Sequence, residues 1–347
     1  MLNKNLFIRV DSGMEVGSGH MMRCFSLAES LKMKRIDVSF VSRQLPGNLC
    51  DFIERKGYKV YRLPNNNSTL EIDAKQTLEA TDMHKKQPEW LVVDHYDLDK
   101  QWETIIRKHV KKIIVIDDLA NRPHDCDLLI DQNLYENMDG RYSSLIPNNC
   151  QKLLGPTYAL LRPEFVEKRK NLRKRDDHIH RILVSFGGSN STNEISKVLK
   201  AIRLLDSKDL RVDVVVGISN ENKKIIKQMC SNIPKTTYNH QIDNMWDFMA
   251  DADLSVGGGG SSTWERCCLG LPSIVSILSK DQRELTETMA KKGYIINLGL
   301  ANALSSDDYV KAIKNIDSDK LCSMSQKCLK LVDGKGASRV ANNICSL

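Results

Sequence analysis

The sequence predicts an α/β fold of two Rossmann-like, doubly wound domains, each a parallel sheet with helices on both faces. Three observations predict it. Short, continuous apolar runs alternate with helical segments along the chain, and strands buried on both faces read as unbroken apolar runs. The pattern restarts after a basic stretch from Lys168 to Arg181. The length of 347 residues suits about two domains.

In chain order, the predicted strands of the first half are Leu6 to Val10, Asp37 to Ser42, Lys59 to Leu63, Trp90 to Asp94, Ile113 to Asp117, Leu128 to Asp131 and Lys152 to Gly155. Those of the second half are Ile182 to Phe186, Leu210 to Val216, Thr236 to His240, Leu254 to Val256, Ser273 to Ile277 and Ile295 to Asn297. Helices fill most of the gaps, and Asn65 to Ser68 is a polar loop. The expected division is an N-terminal domain over 1–166, a basic linker over 167–181 and a C-terminal domain over 182–347, with the last helix packing back on the first domain. Doubly wound sheets bind ligands beyond the carboxyl ends of their strands, so the two domains are expected to face each other across a ligand-binding cleft.

Composition narrows the class. Apolar residues make up 41% and charged residues 27% of the chain, ordinary values for a large enzyme core. No apolar run approaches the ~18 residues of a membrane span, and the N-terminus reads as a strand with flanking charges, not as a signal peptide. The ten cysteines are scattered without a C-x-x-C pair, which suggests neither zinc nor a disulfide framework and fits free thiols in a reducing cytoplasm. Much of the net charge of +7 lies in K-R-K-N-L-R-K-R-D-D-H-I-H-R. This run lacks interleaved aromatics, so a solvated linker is expected there and no nucleic-acid partner. A mild positive field suits an anionic nucleotide.

Three glycine turns, each directly after an apolar strand, carry the chemistry. The first, D-S-G-M-E-V-G-S-G-H-M-M-R from Asp11 to Arg23, opens a helix, an arrangement that places an anion against helix N–H groups. Gly17 and Gly19 belong to it, and His20 stands at its end, where an imidazole can take a proton from water. Asp11 either orients that imidazole or forms the turn, and Arg9 and Arg23 either bind substrate or pair with carboxylates. The second turn, G-G-G-G-S-S-T-W-E from Gly257 to Glu265, lets the backbone approach a diphosphate at Gly258, Gly259 and Gly260. Ser261 and Ser262 stand at helix-cap positions, and Glu265 is placed to accept from two ribose hydroxyls. The third turn, Gly187 and Gly188 in S-F-G-G-S-N, completes a nucleotide-type pattern.

These blocks resemble a known family. Together with V-V-D-H-Y (Val92 to Tyr96), I-D-D-L-A-N-R-P-H-D-C-D (Ile116 to Asp127), G-P-T-Y-A-L-L-R-P-E-F (Gly155 to Phe165) and D-G-K-G-A-S-R-V (Asp333 to Val340), they look like the PseG family, the nucleotide-sugar hydrolases of pseudaminic acid biosynthesis. The resemblance runs nearly end to end. It implies a glycosyltransferase-B architecture of the MurG type, with UDP held mainly by the C-terminal domain. It also implies hydrolysis of UDP-2,4-diacetamido-2,4,6-trideoxy-β-L-altropyranose to the free sugar and UDP, with inversion and without a metal or other cofactor.

Carried over by motif, His20 corresponds to the catalytic histidine and Tyr96 to the aromatic beside it, while Glu265 and Gln282 match positions that contact the nucleotide. Arg162, in G-P-T-Y-A-L-L-R-P-E-F, joins the substrate-binding candidates. Asp281 departs from the family's usual Asn; its carboxylate either repels a phosphate or points to solvent. Asp117-Asp118 resembles a metal-binding pair, but in a metal-free family hydrogen bonding in the cleft is the better expectation. The resemblance implies a cytoplasmic enzyme acting as a monomer on a small UDP-sugar. Two other classes stay open: a glycosyltransferase of the same fold, which would show an apolar acceptor groove, and a non-catalytic nucleotide-sugar binder.

Overall fold

The computed structural model describes residues 4–66, 69–83, 85, 87–175, 178–187, 193–217 and 220–347. Residues 67 and 68 of the predicted polar loop, 176 and 177 of the basic stretch, and Gly188 of the third glycine turn lie outside the described residues. The chain forms two compact units, Met1–Pro163 with Lys335–Leu347, and Glu164–Gly334.

The first unit runs β1 (Asn5–Val10), α1 (Gly19–Lys32), β2 (Asp37–Arg43), α2 (Cys50–Arg55), β3 (Lys59–Leu63), α3 (Leu70–Thr81), β4 (Trp90–Asp94), α4 (Lys100–Ile106), β5 (Lys112–Ile116), β6 (Leu128–Asp131) and β7 (Gln151–Leu154). Its sheet has the order β3-β2-β1-β4-β5-β6-β7, and every described pairing is parallel. Side chains alternate across it with a period of two. Ile8, Phe40, Trp90, Val92 and Ile114 meet α1 on one face, while Phe7, Val41, Leu91, Val93 and Ile113 meet Trp102 of α4 on the other. Both faces are thus dry, which is why these strands carry no polar alternation.

The second unit runs α5 (Pro163–Lys170), β8 (Arg181–Ser185), α6 (Glu194–Leu205), β9 (Arg211–Val216), α7 (Lys223–Ser231), β10 (Thr236–His240), α8 (Met245–Asp251), β11 (Leu254–Gly258), α9 (Ser262–Cys268), β12 (Ser273–Ile277), α10 (Arg283–Lys291), β13 (Ile296–Leu300), α11 (Ser306–Lys314) and α12 (Ser318–Leu331). Its order is β10-β9-β8-β11-β12-β13. The final helix, α13 (Gly336–Ser346), buries Ala337, Val340, Ala341 and Ile344 with α1 in the core of the first unit. Burial of each Val or Ile there contributes about 1.5–3 kcal/mol. Gly336 makes the packing possible, because a Cβ there would collide with the backbone of Ala159.

The basic stretch is largely exposed, with Lys170, Asn171, Arg173, Lys174, His178 and His180 at the surface, but Arg169 and Arg175 are half-buried and held by backbone carbonyls of the second unit. Arg169 donates to Cys268, Leu329 and Val332, and Arg175 donates to Met249, Ala252, Leu269 and Gly270. Arg173 pairs with Asp253 at 2.5 Å. These carbonyls end helices and turns, where no backbone donor remains to satisfy them.

The sheet orders fix where ligands approach. The direction of strand succession reverses between β1 and β4 in the first unit and between β8 and β11 in the second. At such a switch point the two following loops diverge to opposite faces and leave a crevice beyond the strand ends. His20 stands in the first turn of α1, just past the loop after β1, and the loop after β4 carries His95 and Tyr96; the loops after β8 and β11 carry Gly187 and Gly259 to Ser261.

Candidate active site

In the first unit the glycine turn after β1 closes on itself. Gly13 and Gly17 pair as a miniature antiparallel bridge, with Gly17 N–H donating to Gly13 O at 2.8 Å and Gly13 N–H to Gly17 O at 3.3 Å. Met14 N–H donates to Pro46 O. Gly17 sits at φ +80°, a conformation that favours glycine. Its N–H is therefore spent inside the turn, and its part is to shape the loop instead of holding an anion. Gly19 opens α1, so His20 lies within the first helical turn, not before it.

His20 is held from behind. Its Nδ1 lies 2.7 Å from Asp94 Oδ1, at the carboxyl end of β4. Burial pushes the Asp94 carboxyl up, but Arg23 and then His20 outweigh it, so it stays well below the usual carboxylate range. An ionised carboxylate only accepts hydrogen bonds, so the 2.7 Å contact places the proton on Nδ1 and leaves the Nε2 lone pair free; Arg23 Nη2, 3.0 Å from the same nitrogen, has Asp94 Oδ1 as its acceptor at 2.6 Å. Tyr96 packs edge-on against the imidazole, with centroids 4.5 Å apart and planes at 87°. This contact fixes the ring plane.

Arg23 ties the group together. It donates to both oxygens of Asp94, at 2.6 and 2.7 Å, and to Asp118 Oδ2 at 2.8 Å. Neither Arg23 nor Asp118 is an isolated helix or turn residue. Asp118 shares Arg23 with Asp94, whereas Asp117 pairs with Arg122 at 2.8 Å and accepts from Ala120 N–H. The two adjacent aspartates are thus engaged in separate ion pairs. Among the described residues no group of three or more His, Cys, Asp or Glu side chains is arranged to hold a metal ion.

Asp11 does not orient His20. Its carboxylate accepts from Arg9 at 2.5 Å, from Arg43 N–H at 2.7 Å and from His95 Nε2 at 3.1 Å. Since His95 Nδ1 accepts from Asp97 N–H, Nε2 carries the ring proton and is the donor. Arg9 is fully buried and also reaches Asp73, which accepts from Trp102 Nε1 at 2.9 Å and from Arg43. Asp11 and Arg9 are therefore an internal brace that clamps the loops after β1, β2 and β4. The reason is geometric: Asp11 follows β1 directly and turns into the sheet end, while His20 emerges a loop later beside β4.

In the second unit β11 extends through Gly258, two residues further than the sequence suggested. Gly257 lies so close to β8 that a Cβ would collide with Ser185 O. A Cβ on Gly258 would stand 2.7 Å from Leu278 Cδ1, and one on Gly259 would collide with Thr286 Oγ1. These three glycines admit neighbouring parts of the fold. Gly260 is different: the nearest atom to a Cβ there is Gln282 Nε2, at 3.8 Å.

Gln282 braces this turn from inside. Its Oε1 accepts from Gly259 N–H at 3.3 Å and Leu278 N–H at 3.2 Å. Asp281 beside it is exposed. Ser261 is exposed, while Ser262 and Glu265 are half-buried at the start of α9. Gly187, at φ +79°, has open space on its Cβ side, and Arg162 is half-buried just before α5.

Sequence reasoning passed over Asp94 and His95 as functional positions and Arg266 altogether. Asp94 had a local signal, a carboxylate ending a continuous apolar strand. Arg266 stands four residues after Ser262, one helical turn on, and is 2% exposed.

Residues 182–340 match the glycosyltransferase family 28 C-terminal domain. MurG of Acinetobacter baumannii superposes with a TM-score of 0.68 over 99% of this chain and 100% of that one, at 11% identity. The fold is of the glycosyltransferase-B type. Within it, the family resemblance read from the blocks holds: the UDP-2,4-diacetamido-2,4,6-trideoxy-β-L-altropyranose hydrolase of Campylobacter jejuni is 26% identical over 83% of this chain and 97% of its own length. The uncharacterized protein MJ1062 of Methanocaldococcus jannaschii is also 26% identical, over 82% of this chain, which spans only 58% of that protein. No helix among the described residues is long and apolar enough to cross a membrane.

Proposed function

We propose that this glycosyltransferase-B protein hydrolyses a UDP-linked diacetamido sugar to the free sugar and UDP. The observation that carries the reading is the His20–Asp94 pair, an imidazole anchored through Nδ1 at a strand-end switch point with Nε2 left to act as base. The similarity to the Campylobacter jejuni hydrolase supports the substrate class.

In this mechanism water attacks the anomeric carbon while His20 Nε2 takes its proton. The carbon–oxygen bond to the diphosphate breaks, and its electron pair leaves with UDP. A single displacement inverts the anomeric centre. Asp94 stabilises the imidazolium as it forms. UDP is a weakly basic leaving group, so its departure needs charge stabilisation more than a proton. The N–H groups at Gly260 to Ser262 and the serine hydroxyls supply that stabilisation, and Glu265 accepts from the ribose hydroxyls. The family 28 match favours one rival, transfer of the sugar to an acceptor hydroxyl by the same base.

Incubation with a panel of UDP-diacetamido sugars and no acceptor, followed by NMR, decides between them. Equal amounts of UDP and free sugar are expected, with the inverted anomer appearing first. No turnover until an acceptor is added would overturn hydrolysis.

The nucleotide assignment has its own check. Glu265→Ala is expected to weaken UDP binding by about 1.5–3 kcal/mol, the loss of a charge-assisted hydrogen bond. Because the ribose is remote from the breaking bond, the loss should appear in KM with kcat nearly kept. Calorimetric titration of UDP tests it; unchanged affinity would remove Glu265 from the nucleotide site.

A further inference from the structure

Behind the second glycine turn lies a cation that the mechanism has not used. Arg266, in α9, is 2% exposed. Its guanidinium donates to Gly258 O at 2.9 Å, Thr263 Oγ1 at 3.0 Å and Ser262 Oγ at 3.2 Å. All three acceptors are neutral. No carboxylate among the described residues forms an ion pair with it, and its Nε is buried without a partner. Other well-buried arginines of this protein, Arg9, Arg23 and Arg43, each reach a carboxylate. Glu265 acts on it only through space, without an ion pair; a buried charge without a directly paired counter-charge is costly, and a ligand of opposite sign offsets that cost.

Ser262 shows where that ligand sits. Its oxygen receives the Arg266 N–H, so its own hydroxyl hydrogen remains to be donated, and the residue is half-buried. A hydroxyl that accepts from a cation becomes a stronger donor on its other side. Neighbouring Gly260 has its Cβ side open, so the backbone leaves room for a bulky anion at that point.

We propose that Arg266 is the diphosphate-recognition charge of this protein, acting through the Ser262 hydroxyl, which touches the phosphate. The inference rests on the nucleotide site proposed above and deepens it. Arg266 is a positioning residue: it polarises Ser262, braces the turn at Gly258 and supplies a positive charge that attracts the diphosphate of a nucleoside diphosphate and has no counterpart in a nucleoside. The charge effect is specific to phosphate, which separates it from a merely structural role.

Calorimetric titration with UDP and with uridine tests the proposal on the parent, Ser262→Ala, Arg266→Met and the double variant. Loss of one charge-assisted donor path is expected to weaken UDP binding about 10- to 100-fold in each single variant. Uridine binding should stay within about 2-fold, because its contacts are untouched. The double variant should bind UDP no worse than Arg266→Met alone, since both act on one path.

Arg266→Lys, which keeps the charge but loses the fork to Gly258 and Ser262, should fall between parent and Met, and it serves if the Met variant does not fold. Equal losses for UDP and uridine, unchanged UDP affinity in the Arg266 variants, or independent losses in the double variant would overturn the proposal. A parent that binds no UDP would overturn the nucleotide site itself and this inference with it.

Discussion

His20→Asn is expected to lower kcat by about 10²–10⁴-fold, the usual worth of a positioned general base. UDP affinity should be kept. The side chain stands 11% exposed at the start of α1, and its removal leaves Arg23 to hold both Asp94 and Asp118. The fold therefore loses little, and the defect should lie in the chemical step. Stopped turnover assays with calorimetric UDP titration check both halves of the expectation. Near-parent turnover would remove His20 from the mechanism, whereas lost UDP binding would make it a ligand contact instead.

Asp94→Asn should lower kcat by a comparable factor, about 10²–10⁴-fold, although Asp94 touches no substrate in this mechanism. An asparagine can offer either an acceptor or a donor to His20 Nδ1, so it no longer enforces the tautomer with the lone pair on Nε2. It also removes the negative charge that stabilises the imidazolium. KM and UDP affinity should change little, because the defect is in the base and not in binding. The amide oxygen still accepts from Arg23, whose second partner Asp118 is untouched, so circular dichroism should show a folded protein. A parent-like kcat in this variant would show that the 2.7 Å contact is structural only.

Asp11→Asn provides a contrast within the same loops. Asp11 was the candidate to orient His20 from sequence, as the carboxylate that follows β1 directly. In the structure it belongs to the Arg9–Asp73–Arg43 brace, so its loss falls on stability. Breaking a buried pair of this kind costs about 3–5 kcal/mol. Thermal unfolding should register it well before turnover at low temperature does.

Much about this protein was decided by the sequence alone, because those features arise from local physical chemistry. Continuous β-branched runs such as Ile113 to Ile116 read as strands covered on both faces, and the glycine turns after such strands need backbone freedom that few other residues have. His20 at a turn–helix junction was legible for the same reason. The α13 pattern, with Val340, Ala341 and Ile344 at helical spacing, signalled a helix with one buried face. Even Arg266 was within reach, since its spacing from Ser262 is one helical turn.

Tertiary structure decided what depends on residues distant in the chain. Pairing β4 beside β1 brings Asp94 to His20 across 74 positions, and nothing local distinguishes Asp94 from Asp11 or Asp118 as its partner. Arg169 and Arg175 of the basic stretch look solvated in sequence because their acceptors, the carbonyls of residues 249–270 and 329–332, come from elsewhere in the chain. The four glycines look alike in sequence, yet Ser185, Leu278 and Thr286 crowd the first three and leave Gly260 open. Period and turn chemistry act over a few residues, whereas strand order sets which side chains share a switch point, and only the folded chain brings those together.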